Sequence, residues 1–197
     1  MSPRDPGPTR AAILMAASDL LEGGGPDAVT LRAVGETAGV SRSAAYRHFD
    51  DKSALLSELA RQTLDGMAAA IRAAAIDSDS RVNLRLGSGA YVEYVLNFPH
   101  HYQLIFGDTP ISAPAPELEA AADSAMLALQ TLVERAQAAG QLGGGAPREL
   151  ATVLWVLLHG IAALQITGHL HEPRTLDGDT RLGELLDLAL ASFSPAD

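Results

Sequence analysis

Residues 30–49 read TLRAVGETAGVSRSAAYRHF. Thr30 is a natural N-cap, because its side-chain oxygen can accept from a backbone N–H in the first helical turn. Leu31, Val34 and Ala38 then share one face of a short helix. Gly39 offers the left-handed turn that few other residues accept, and Ser41 caps a second short helix reaching about His48. Two short helices about a glycine turn are the pattern of a helix-turn-helix. In the second helix Val40, Ala45 and Phe49 fall on the inner side. Arg42, Ser43, Tyr46 and Arg47, spaced i, i+1, i+4 and i+5, fall on the other. That outer face suits a major groove: Arg42 for guanine edges or phosphate, Ser43 for either, Ala44 for a thymine methyl. Tyr46, Arg47 and His48 suit phosphate oxygens. Lys52, opening the next helix, is placed to hold a phosphate with the N-terminal N–H groups of that helix. A plain helical hairpin with a solvated face shares the turn pattern.

The flanking sequence is helical throughout. A stripe of Ile13, Leu14, Ala17, Leu20 and Leu21 predicts a helix over 9–22, which GGGP at 23–26 stops. Residues 1–8 read as a loose arm. Asp50 or Asp51 caps a long helix over 52–76, and DSDS at 77–80 is a polar break. Further helices are expected over 81–97, 99–106, 116–139, 147–168 and 180–193. The loops between them are GDTPISAPAP and AGQLGGGAP. The fold class is therefore all-α, with about nine helices. A DNA-binding head is expected over 1–53 and a sensing and dimerisation domain over 54–197.

The 197 residues hold 47% apolar residues, enough for a core. Cysteine is absent, which excludes disulfides, thiolate metal sites and cysteine nucleophiles. The net charge of −10 looks unsuited to a polyanion, but its distribution decides the matter. Residues 1–61 carry seven Lys+Arg and eight Asp+Glu, whereas residues 62–197 carry seven and sixteen. A polyanion would be met by the N-terminal end. The apolar run 150–168 is broken by His159 and Gln165 and is short for a membrane span, so it reads as a core helix. No membrane partner and a cytoplasmic location are expected.

The helix-turn-helix stretch resembles the tetracycline-repressor (TetR) family of bacterial regulators. The matching residues are Thr30-Leu31-Arg32, Ala38-Gly39-Val40-Ser41, Tyr46-Arg47-His48-Phe49, Asp51-Lys52 and Leu55-Leu56, preceded by an apolar helix of suitable length. The resemblance implies that the third helix reads DNA, that Tyr46, His48 and Lys52 touch the backbone, and that a homodimer binds a near-palindromic operator. The expected DNA-contacting set is Thr30, Arg32, Ser41, Arg42, Ser43, Ala44, Tyr46, Arg47, His48 and Lys52. Two residues depart from the family: Gly35, usually alanine, costs helix stability of about 1 kcal/mol, and Ala45 is small.

In the second half, Trp155, His159 and Gly160 resemble the Trp…His-Gly signature of one C-terminal subclass. Trp155 and His159 share a helix face, as do Tyr91 and Tyr94. With Phe98, Tyr102 and Phe106 these form the expected ligand pocket, an apolar cavity with few polar groups. The same side chains also serve as core anchors in any helical domain. The ligand expected is an apolar or amphipathic small molecule. An interface of Leu154, Leu158, Ile161, Leu182, Leu185, Leu186 and Phe193 is expected to pair two subunits in a four-helix bundle. The histidines do not make a metal site: His100 and His101 are adjacent, His169 and His171 lie by a loop near Glu172, and no His-x3-His pair exists. No cofactor is implied, and no phosphate loop, Gly-x-Ser-x-Gly or buried carboxylate pair points to catalysis. The expected activity is a repressor released from DNA by its ligand. An activator is the alternative, and an all-helical binding protein or enzyme without a DNA role is the remaining one.

Overall fold

The computed structural model describes residues 7–107, 116–170 and 182–193. Among these, nine α-helices and no strand are present: α1 (Gly7–Ala28), α2 (Leu31–Thr37), α3 (Arg42–His48), α4 (Lys52–Ala74), α5 (Ser80–Asn97), α6 (Pro99–Phe106), α7 (Pro116–Ala138), α8 (Pro147–Ile166) and α9 (Leu182–Ala191). The punctuation read from the sequence acts where expected. The glycine run breaks α1: Gly24 and Gly25 leave helical geometry, with Gly25 at φ 68°. Thr30 Oγ1 accepts from Ala33 N at 3.1 Å, and Ser41 Oγ accepts from Ala44 N at 3.2 Å. Gly39 turns the chain at φ 66°. Of the two candidate caps for α4, Asp51 serves: its Oδ1 accepts from Ala54 N at 2.8 Å.

The chain forms two compact units, one from the described residues within 1–63 and 98–121, the other from those within 64–97 and 122–197. The division expected between residues 53 and 54 falls at the start of α4; the observed division lies further along that helix and places α6 with the head. In the first unit, Ile13, Ala17 and Leu21 of α1 are fully buried with Val34 of α2, Ala45 of α3 and Leu55 of α4. Removing such side chains from water is the main favourable term holding these four helices together. α6 docks on α1.

In the second unit, α5 packs on α8 and α9. Its core holds Met67, Ile71, Leu84, Tyr91, Leu129, Leu154 and Leu158. Gly87 lets α5 lie close to α7: a Cβ at this position would run into Leu132 Cδ1, so a larger residue needs the Leu132 side chain to give way. An ion pair of Arg85 and Asp187 ties α5 to α9. By length and composition α8 could cross a membrane. One side of it, at Leu154, Leu158 and Ala162, is buried within the protomer instead.

Candidate nucleic-acid interface and sensing cavity

The outer face of α3 is open. Arg42, Ser43 and Arg47 are exposed, and Tyr46 is 45% exposed. The Arg42 guanidinium lies over the Tyr46 ring, 5.6 Å from its centroid. Such a contact orders a long side chain without consuming its hydrogen-bond donors. Ser43 Oγ shares a hydrogen bond with the capping hydroxyl of Ser41 at 3.0 Å. His48 and Lys52 are half-buried, while Thr30 and Arg32 are exposed. Arg32 Nε donates to Glu36 Oε1 at 2.9 Å along α2. An exposed pair of this kind costs little to exchange for a phosphate.

Two expectations change. Ala44 is 6% exposed and faces inward beside Ala45, so it cannot reach a thymine methyl. In α3 and its C-cap, positions 44, 45 and 49 all face the head's interior. The helix end assigned to a phosphate with Lys52 already holds the Asp51 carboxylate on Ala54 N–H. A phosphate there shares the site with a carboxylate and depends on the Lys52 ammonium.

Two polar clusters that the sequence gave no reason to join hold this head. Glu58 receives two bonds from Arg61, at 2.8 and 2.9 Å, and an ion pair from Arg10 of α1 at 3.2 Å. The Arg61 bonds, then those of Arg10, hold the Glu58 carboxyl down at about 2 against the opposing effect of burial. Arg10 also lies 5.3 Å from the ring centroid of Phe49, the residue closing α3. The second cluster joins α6 to α1. His101 Nδ1–H donates to Glu22 Oε1 at 2.5 Å, and its other ring nitrogen pairs with Ser18 Oγ at 3.0 Å. His100 Nδ1–H donates to the Glu22 carbonyl at 2.8 Å. Among the described residues no group of three His, Asp or Glu is arranged for a metal. His171 and Glu172 lie outside them.

The seven residues expected to form one pocket divide between the units. Phe98, Tyr102 and Phe106 belong to the first, where Phe98 lies 5.8 Å from His101 and Tyr102 lies 5.1 Å from Phe106. Burial raises the Tyr102 hydroxyl above its ordinary pKa. The second unit brings Tyr91, Trp155 and His159 together. The His159 ring stands edge-on to Trp155 at 4.2 Å and to Tyr91 at 5.8 Å. Burial drives the imidazole down to about 4, so it is neutral at physiological pH. Tyr94 is half-buried over Gly66, where a Cβ would lie 2.3 Å from its hydroxyl oxygen. The Ser88 hydroxyl, which sequence reading passed over, is fully buried with no hydrogen-bond partner among the described residues.

A cleft of about 310 Å³ opens between α5, α8 and α9. Val92, Leu96, Ile161 and Leu186 form its apolar lining, with Arg85, Glu93 and Asn97 as its polar groups. None of the aromatic residues expected around a ligand lines it.

The expected subunit interface is also corrected. Leu154, Leu158, Ile161 and Leu186 are buried within the protomer, at 7% exposure or less, and Leu185 and Phe193 are half-buried. The side chain of Leu182 lies outside the described residues. The face left open on α8 holds Val153, Val156, Leu157 and Leu164, 37–55% exposed, with Leu188 of α9 at 57%. α8 is apolar nearly all round, so periodicity could not tell its inner side from its outer.

Residues 13–59 match the model described as "Bacterial regulatory proteins, tetR family", and residues 84–192 match "Tetracyclin repressor-like, C-terminal domain". The chain is 25% identical over 195 residues to the HTH-type transcriptional activator FasR of Mycolicibacterium smegmatis, covering 98% of this chain and 85% of that protein. A solved protein of unknown function from Rhodococcus sp. RHA1 is 32% identical, with a TM-score of 0.80, over 94% of this chain and 93% of that one. A TetR-family regulator from Agrobacterium tumefaciens shares the fold at 21% identity and a TM-score of 0.70, over 96% and 100% of the two chains.

Proposed function

The chain belongs to the TetR family of bacterial transcriptional regulators, and from that membership we propose that it is a cytoplasmic homodimeric repressor that leaves a near-palindromic operator when a small molecule binds its second unit. The observation that carries this reading is the outer face of α3, where Arg42, Ser43, Tyr46 and Arg47 are exposed over a buried Ala45. Arg42 and Ser43 read base edges in the major groove. Tyr46, Arg47, His48 and Lys52 hold phosphates on either side and fix the register. Thr30, Arg32 and Ser41 line the approach.

Two α3 helices must stand about 34–36 Å apart to enter successive major grooves. The apolar face of Val153, Val156, Leu157, Leu164 and Leu188 supplies the surface that joins two copies. A ligand acts by preferring the arrangement with a different spacing, and only to the extent of that preference. The M. smegmatis relative is named an activator, which supports activation as the second reading.

The experiment is an operator selected from a random DNA library, placed upstream of a reporter and in its core promoter in turn. Repression from the core promoter, with no stimulation from the upstream position, supports the first reading. Stimulation from the upstream position supports the second. Failure to select any sequence removes both.

A further inference from the structure

The cleft between α5, α8 and α9 has a lopsided charge. Its guanidinium, Arg85, is already neutralised: Nε and Nη2 meet the two carboxylate oxygens of Asp187 at 2.5 and 3.1 Å. Glu93, on the same helix two turns further on, lines the cleft and is exposed, with no ion pair among the described residues. Asn97, one turn beyond, adds an amide. Between these groups lie Val92, Leu96, Ile161 and Leu186. A ligand there meets an apolar wall and one uncompensated carboxylate. The second unit adds to this, since its described residues hold nine acidic and five basic side chains. Such a field concentrates cations and repels anions.

We propose that this cleft binds a small monocationic amphiphile, with Glu93 selecting the charge and Val92, Leu96, Ile161 and Leu186 holding the apolar body. The volume, about 310 Å³, is at the small end of ligand sites. It suits a phenylalkyl amine more than a drug-sized molecule. The inference deepens the reading of the chain as a ligand-responsive regulator and rests on it for the step from binding to DNA release. The binding step stands or falls alone.

The test is calorimetric titration of the full-length protein near neutral pH with three probes of one shape: 4-phenylbutylamine, 4-phenylbutan-1-ol and 4-phenylbutyrate. The amine is expected to bind roughly two- to fivefold more tightly than the alcohol, the range of an exposed ion pair, and the acid more weakly than either. In Glu93→Gln the amine and the alcohol become equal. Gly89→Leu extends a side chain into the cleft from a position where a Cβ is 3.8 Å from its nearest neighbour, and it abolishes binding of all three probes. The proposal is overturned if no probe binds, if the acid binds as tightly as the amine, or if Glu93→Gln keeps the preference for the amine. Binding that survives Gly89→Leu, with the variant shown to be folded by circular dichroism, overturns it too. Operator affinity of the ligand-free protein is measured alongside. Its absence counts against the regulator reading and leaves the titration result intact.

Discussion

The imidazole of His101 on α6 and the carboxylate of Glu22 on α1 meet at 2.5 Å, and Ser18 of α1 closes the other ring nitrogen at 3.0 Å. His101 is 6% exposed. The carboxylate can only accept, so Nδ1 carries the proton, and the arrangement has one tautomer. The two bonds satisfy both nitrogens of a buried ring, using the half-buried side chains of Glu22 and Ser18. His101→Phe removes both ring hydrogen bonds, while the backbone N–H of residue 101 still donates to Glu22 Oε1 at 3.1 Å. Unfolding by urea should show a loss of about 1–3 kcal/mol, and Glu22→Gln a smaller one. An unchanged midpoint in His101→Phe would remove the pair from the account of head stability.

Gly35 of α2 offers a gain. A Cβ there would meet Val40 O at 3.5 Å and Ala45 Cβ at 3.9 Å, ordinary contacts. Gly35→Ala should therefore stabilise the protein by about 0.5–1 kcal/mol, by cutting the entropy of the unfolded chain and favouring helix. Differential scanning calorimetry would show a raised Tm. A lowered one would mean that α2 and α3 are closer than described.

His159 makes stability depend on pH in a defined window. In the unfolded chain it takes a proton near its ordinary value of about 6.5, but when folded only at about 4. Between those values the unfolded state binds more protons. Stability is therefore level above the upper value and falls as pH drops through the window. Urea midpoints measured from pH 7 to 5 should decline, and His159→Gln should flatten the decline.

Glu58 has the carboxylate counterpart at lower pH. Its folded value is about 2, below the unfolded one. The stability it adds is complete above the ordinary carboxylate range and is lost as pH falls toward the folded value. Glu58→Gln should shift the acid transition to higher pH, followed by circular dichroism. Arg61→Met should reproduce most of that shift, because the Arg61 bonds are the larger cause.

The open face of α8 predicts the assembly. Val156→Glu and Leu157→Glu place a charge on an exposed apolar surface, so the protomer should still fold. Sedimentation velocity should find the parent dimeric and the double variant monomeric. A dimeric double variant would place the subunit interface elsewhere.

The sequence displayed its helices and the head more fully than its surfaces. Thr30, Gly39, Ser41 and the glycines at 23–25 are local devices, each acting through its own backbone, so they were legible one by one. The DNA-facing side of α3 followed from helical period, except at Ala44, which lies near the edge of the buried arc and needs the tertiary packing to place it. Glu58 and Arg61 stand at helical spacing, but Arg10 joins them across 48 residues and His101 joins Ser18 and Glu22 across 83 and 79, and nothing in those separations connects them. On α8 the period carried no information, because both sides are apolar. The cleft residues Gly89, Val92 and Glu93 gave no signal in the sequence, since an apolar helix wall looks the same whether it faces a neighbour or a void.

Fluorescence anisotropy with the selected operator, at two salt concentrations, tests the DNA-reading face of α3 most directly. Arg42→Ala is expected to lower affinity for the operator by about 1–3 kcal/mol while leaving random DNA little changed. Lys52→Ala is expected to weaken both DNAs and to reduce the salt slope by about one unit per subunit. Unchanged operator affinity in both variants, each folded and dimeric, would contradict that role for the α3 face.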